Sequence, residues 1–202
     1  NDNIGITLFA GESFTQCPLT VDHAVLLDMI HNIKCGLIED GTAVGMGIAN
    51  AVTRLKDSKA KSKVIILLTD GTNNKGDISP MTAAEIAKSF GIRVYTIGVG
   101  TNGMAPYPYP VGNTVQYVSM PVEIDEKTLT QIAGTTDGNY FRATSNSKLK
   151  EVYEEIDKLE KTKLNVKEYS KRDEEYHWFA LAAFLCVLLE VLLRNSILKK
   201  IP

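Results

Sequence analysis

The sequence predicts an α/β protein built on a doubly wound, mostly parallel sheet. Three observations carry this. Val64 to Leu68 is an unbroken apolar run, as expected of a strand buried on both faces. Strand-like runs alternate with segments whose apolar residues recur every three or four positions. The apolar run also ends in Thr69-Asp70-Gly71, polar residues at a carboxyl edge where ligands of such sheets collect.

The elements follow in order. Ile4–Phe9 reads as the first strand, and a helix spans His23 to Ile33. Val44, Ile48, Val52 and Leu55 form the apolar face of a second helix, opened by Gly41-Thr42. Lys63–Thr69 is the next strand. Thr82-Ala83-Ala84-Glu85 reads as a capping box for a helix that ends near Gly91. Arg93–Val99 is again a strand. Gly103 to Ile124 breaks the rhythm. Met104 to Pro110 alternates three prolines with other residues, which excludes helix, and Val115 to Ser119 alternates like a strand. A small hairpin beside the main sheet is expected there. Asp125 caps a short helix carrying Leu129 and Ile132 and closed by Gly134. Asn139–Arg142 is the last strand. The βαβ order calls for right-handed crossovers.

From Ser147 onward Leu149, Val152, Tyr153, Ile156 and Leu159 keep a helical stripe suited to packing on the sheet. It runs into a charged stalk; Lys148 to Glu175 holds eight basic and nine acidic residues. Trp178 to Leu189 is then twelve residues without a charge, interrupted by Glu190 and continuing to Leu198. Counted to Leu198, the 21 residues would cross a hydrocarbon core of ~30 Å at ~1.5 Å each. The competing reading is a helix buried in the domain or lying on the membrane surface. Spanning is favoured by the Tyr176-His177-Trp178 belt, by the basic Arg194, Lys199 and Lys200, and by a Glu190–Arg194 pair four apart. The expected organisation is a domain over residues 1–162, a charged juxtamembrane stalk over 163–176, a transmembrane helix over 177–198 and a cytoplasmic tail over 199–202. The basic end would hold the domain across the membrane, in the periplasm of a Gram-negative bacterium.

Composition narrows the function. With 202 residues, 44% hydrophobic and 23% charged, the chain has room for one domain and an appendage. A net charge of -2 gives no reason to expect nucleic acid. Three cysteines are no disulfide framework, and Cys17 and Cys35 could pair only if the fold placed them close. The chain enters a core-type strand at once, without an initiator methionine, which suggests a fragment.

Several motifs are weighed and set aside. Gly98 to Gly103 is a GxGxxG after a strand, but a Pro-Tyr run follows it, with no helix to hold a pyrophosphate. It reads as a turn. Cys17, His23, His31 and Cys35 fit no paired zinc spacing. No Gly-x-Ser-x-Gly elbow exists. Glu154-Glu155 and Glu174-Glu175 lie on the charged helix and stalk, where solvation is the default. Neither an enzyme nor a small-molecule substrate is expected.

What remains is Thr42 at a helix start and Asp70 at a strand end. A strand-end aspartate alone is often a loop cap. Together the two offer a hydroxyl and a carboxylate, hard oxygens suited to Mg²⁺ or Mn²⁺. In this order of elements they resemble the metal-ion-dependent adhesion site of von Willebrand factor A domains. The resemblance implies a Rossmann-like fold with a metal at its rim, held by an Asp-x-Ser-x-Ser motif, a threonine (Thr42) and an aspartate (Asp70). The motif is absent; the nearest approach, Asp77-Ile78-Ser79-Pro80-Met81, lies in a loop and ends in methionine. The family's first, central strand would also be missing, leaving a gap between Ile4–Phe9 and Lys63–Thr69. Phe9 to Thr20, Asp40 to Gly47, Leu68 to Gly71, Gly98 to Pro110 and Leu189 to Asn195 are similar to the BatA proteins of bacterial aerotolerance operons. That implies a membrane-anchored interaction module in the bacterial inner membrane, facing the periplasm, with sister Bat proteins and a MoxR-type AAA+ ATPase as partners. The alternative is a metal-independent scaffold that assembles with sister membrane proteins. The Tyr107/Tyr109 loop would be either a partner contact on the same rim or a rigid proline turn.

Overall fold

The run Val64 to Leu68 is buried from two sides because two layers of helices compete for its alternate residues. The computed structural model describes residues 2–34, 36–100, 103–112, 114–122, 124–170 and 176–196. They fall into two units, Asn1–Glu160 and Lys161–Pro202. The first contains β1 (Ile4–Phe9), β2 (Ser13–Thr20), α1 (His23–His31), α2 (Val44–Leu55), β3 (Val64–Thr69), α3 (Pro80–Ser89), β4 (Arg93–Val99), β5 (Gly103–Val111), β6 (Thr114–Val122), α4 (Glu126–Thr135) and β7 (Tyr140–Ala143). Helix α5 (Asn146–Ser170) begins there and continues into the second unit, which also holds α6 (Tyr176–Ser196).

Strands β3, β4 and β7 form a parallel ladder in that order, with Val64 opposite Arg93 and Thr96 opposite Tyr140. Side chains alternate across a strand. Ile65 and Leu67 join Val44, Ile48 and Val52 of α2 and the alanines of α3 in one core, while Val64, Ile66 and Leu68 pack with Val152 and Ile156 of α5 in another. Each fully buried Ile or Leu contributes about 1.5–3 kcal/mol. The doubly wound layering therefore follows from the two-sided apolarity of β3.

Strand β2 was not expected from the sequence. It pairs antiparallel with β1. Polar residues hid it, but they are used. Ser13 Oγ donates to the Met46 carbonyl and Thr15 Oγ1 to Asn50 Oδ1, while Gln16 Nε2 donates to the Met29 carbonyl. Odd positions thus meet α2 and an even one meets α1. Cys17 is buried in β2 and free; Cys35 lies outside the described residues.

The expected single sheet is in fact a set of separate ladders. Among the described residues β1 is paired only with β2, and β3 only with β4. Helix α2 packs on both β1 and β3, and Phe9 joins the cluster of Ile65 and Leu67. A Cβ on Gly47 would stand 2.9 Å from the Phe9 ring, so the helix needs glycine there. Two ladders thus share a roof, and among the described residues one edge of β1 and one edge of β3 stay unpaired.

Other boundaries move for local reasons. Helix α3 begins at Pro80, not Thr82, because Ser79 is its N-cap and accepts from the Thr82 N–H at 3.1 Å. Asp125 caps α4 as expected and accepts from the Thr128 N–H; hydrogen bonds from Thr128 hold its carboxyl below the usual range. Gly134 lies inside α4, which ends at Thr135. The hairpin of β5 and β6 forms, with the three prolines inside β5. The Tyr107 and Tyr109 side chains lie outside the described residues. The stalk's first part, 163–170, continues α5, and 171–175 lie outside the described residues.

The expected transmembrane helix over 177–198 takes helical form at Tyr176–Ser196. Among the described residues, however, no helix is long and apolar enough to cross a membrane.

Candidate metal centre

Three segments, two of them parts of one loop, converge at the carboxyl end of β3. The first is the turn Thr69-Asp70-Gly71. Thr69 is buried, and its Oγ1 accepts from the Gly71 N–H at 3.2 Å. That short turn leaves Asp70 exposed at the rim. The second is the entry to α2, where the Ala43 N–H donates to the Ala10 carbonyl at 2.6 Å and ties the helix start to the end of β1. The third is the loop after β3, residues 72–75.

That last loop is the part sequence reasoning missed. Ala43, the N-cap residue of α2, has no side-chain cap of its own. Asn73 reaches over from the other loop, and its Oδ1 accepts from the Val44 N–H at 2.9 Å. Asn74 Oδ1 accepts from the Thr42 N–H at 2.8 Å, while the Thr42 carbonyl accepts from the Asn74 and Lys75 N–H groups. Thr42 is therefore held through both its N–H and its carbonyl. The Asn-Asn pair directly after the strand-end Thr-Asp-Gly-Thr was the available signal, since asparagine favours such side-chain-to-backbone bonds.

The predicted pair is thereby brought to one place. A Cβ on Gly71 would lie 3.1 Å from Thr42 Oγ1, a tight contact, so the threonine hydroxyl stands beside the residue next to Asp70. Gly41 precedes it at φ +146, where a Cβ would meet the Lys75 stem at 2.6 Å. The arrangement places the Thr42 hydroxyl beside the residue that follows Asp70. As ligands for Mg²⁺ these two fit in chemical type, being hard and oxygen-bearing. They are not a complete shell: among the described residues no three His, Cys, Asp or Glu side chains group closely enough to hold a metal. Glu12, Glu39 and Asp77 line one cleft of about 290 Å³ beside the turn at Gly11, but they too do not group closely enough to hold a metal. At Gly98 to Gly103, Gly100 donates its N–H to Ala143, and strand β5, rather than a helix, begins at Gly103.

The opposite end of the sheet holds a polar cluster that sequence reasoning left among solvated charges. Glu160 on α5 accepts from Arg93 Nε at 2.8 Å, Ser62 Oγ at 2.8 Å and Tyr95 OH at 2.6 Å, and forms an ion pair with Arg93 Nη2. Burial pushes the Glu160 carboxyl up, but the hydrogen bonds from Arg93, Tyr95 and Ser62 outweigh it and hold the group below its ordinary value. Burial first, then the bond to Glu160, pushes the Tyr95 phenol well above its usual 10.0.

Comparison with known proteins adds to this geometry. The family model for the von Willebrand factor type A domain matches residues 1–155. BatB of Bacteroides thetaiotaomicron is 32% identical, with a TM-score of 0.66 over 80% of each chain. An aerotolerance-related membrane protein of Bacteroides fragilis is 30% identical, with a TM-score of 0.64 over 78% of this chain and 80% of its own. Proximal thread matrix protein 1 of the mussel byssus, whose MIDAS motif is occupied by zinc, is 26% identical, with a TM-score of 0.57 over 78% of this chain and 34% of its own. The chain spans 59% of the length of one curated relative it matches and 46% of another. With the α/β layering and the rim at β3 already in place, the chain belongs to the von Willebrand factor type A domain family, among its Bat-like members.

Proposed function

We propose that this chain is a protein-interaction module whose binding face is the rim formed by Thr42 and Asp70. A divalent cation, Mg²⁺ or Mn²⁺, would sit there with Thr42 as a direct or water-bridged ligand and Asp70 as a carboxylate that orients coordinated water. The observation that carries this reading is the Thr42 hydroxyl held against Gly71, next to Asp70, by bonds from the opposing loop. The zinc-occupied MIDAS of the mussel relative supports it. The remaining oxygens would come from a further strand; among the described residues β1 and β3 each keep one unpaired edge that could accept one.

The proposal extends to place and partners. Helix α6 exposes apolar side chains throughout residues 178–193, Trp178, Phe184 and Leu192 among them. That suits attachment to a bacterial inner membrane, with Arg194, Lys199 and Lys200 on the cytoplasmic side and the domain in the periplasm. The Bacteroides fragilis relative, described as a membrane protein, supports this. Sister Bat proteins and a MoxR-type AAA+ ATPase are the proposed partners. A second reading, a metal-independent scaffold assembling with sister membrane proteins, draws on the incomplete ligand set among the described residues.

Calorimetric titration of Mg²⁺ and Mn²⁺ into the protein separates the two. The metal reading expects saturable binding, abolished together with partner capture by Asp70→Ala. Absence of binding heat, or capture undiminished by the substitution, would favour the scaffold.

A further inference from the structure

Strands β5 and β6 make a ribbon whose close packing, among the described residues, is with each other. A lone two-stranded ribbon is marginally stable in water. Its two outer edges differ. Residues 112 and 113 separate Val111 from Thr114, so the pair Val111–Thr114 is the one that exchanges hydrogen bonds next to a two-residue turn. Counting back, the pairs Pro110–Val115, Pro108–Tyr117 and Pro106–Ser119 are non-hydrogen-bonded, and their backbone groups point outward. On the β5 side those positions are prolines. That edge offers carbonyls but no N–H donors, and cannot template another strand.

The β6 edge is the reverse. Val115, Tyr117 and Ser119 each present an outward N–H and carbonyl, and Pro121 ends the row at the base. Edges are commonly guarded by charge, yet Gly103 to Val122 contains no charged residue. Val115 and Tyr117 are 58% and 72% exposed.

We propose that the outer edge of β6 pairs with the same edge of a second copy of this chain. An antiparallel two-fold centred on Tyr117 sets Tyr117 against its own counterpart and Val115 against the copy's Ser119. Each of these pairs exchanges two hydrogen bonds, and an aromatic cross-strand pair lies at the centre. No like charges meet, because the ribbon has none. The prolines on both outer edges then stop growth, so the assembly is a closed dimer with strand order β5-β6-β6-β5 rather than a fibre. The contact is small against the ~1,600 Å² of a standard interface, so association is expected in the micromolar range. This inference does not depend on metal binding at the rim.

Sedimentation velocity of the full chain in mild detergent tests it. The unsubstituted chain is expected to show a concentration-dependent monomer–dimer equilibrium. Tyr117→Lys and Tyr117→Glu each place like charges opposite one another and should weaken the dimer roughly tenfold. Mixing the two variants should restore it. Tyr117→Pro, which removes an outward N–H and leaves the ribbon's own ladder intact, should weaken it as well. A chain that stays monomeric up to about 100 μM overturns the proposal. So does a dimer that none of these substitutions weakens, which would place self-association elsewhere, or a mixture of the charged variants that fails to re-form it.

Discussion

The two ends of the β3–β4–β7 sheet use polar groups in opposite ways. At the amino end Glu160 is ringed by Arg93, Tyr95 and Ser62, and its side chain is only 14% exposed. At the carboxyl end Asp70 is exposed, and its neighbours bond to one another rather than to it. A buried charge must be fully partnered to persist. An exposed carboxylate whose surroundings are rigid can keep its oxygens for a ligand. The closed end fastens α5 to the domain, while the open end is held still by Asn73 and Asn74 without being consumed by them.

The contrast can be broken by substitution. The largest effect is expected for Glu160→Ala, which strands the Arg93 guanidinium and the Tyr95 hydroxyl. It should cost about 3 kcal/mol, a fall of roughly 6–12 °C in Tm by circular dichroism. A variant as stable as the parent would show that the cluster is mere surface pairing.

Next comes pH. Folding favours the ionised form of Glu160, so its contribution is complete above the ordinary carboxyl value of 4.5 and is lost as pH falls through the lower folded value. Folding favours the neutral Tyr95 phenol, so its contribution is complete below 10.0 and is lost as pH rises through the higher folded value. Urea unfolding across pH should give a plateau bounded on those two sides, and Glu160→Gln should flatten the acid limb.

A smaller effect belongs to the open end. Asn73→Ala removes the borrowed cap from α2 and should cost about 1 kcal/mol. Loss of more than that would mean Asn73 supports the whole loop. The smallest is Asp70→Asn, expected to change stability by less than about 0.5 kcal/mol. A marked loss there would make Asp70 a structural cap and remove it from the proposed site.

Much of this was legible in the sequence where physics is local. The apolar run of β3, the helical stripe of α2 and α5, the Asp125 cap and the proline-bearing hairpin each declare themselves within a few residues. Strand β2 did not, because Ser13, Thr15 and Gln16 look like loop residues until helices from both sides accept their hydrogen bonds. Glu160 looked like one more charge on a solvated helix until Arg93 and Tyr95, more than sixty positions away, met it. Of the candidate site, Thr42 and Asp70 were readable as residue types, and Asn73 and Asn74 were not.

By itself the sequence determined which apolar segments are strands, with β2 the exception, which face of α2 and α5 is apolar, and that a hydroxyl at a helix start and a carboxylate at a strand end are candidates for one site. Only the tertiary structure decided that Asn73 caps α2 from another loop, that Glu160 locks the far end, and that β1 and β3 share a helix without sharing hydrogen bonds. The reason is range. Periodicity and capping depend on neighbours along the chain, whereas polar partnership depends on which distant groups the packing brings within bonding distance.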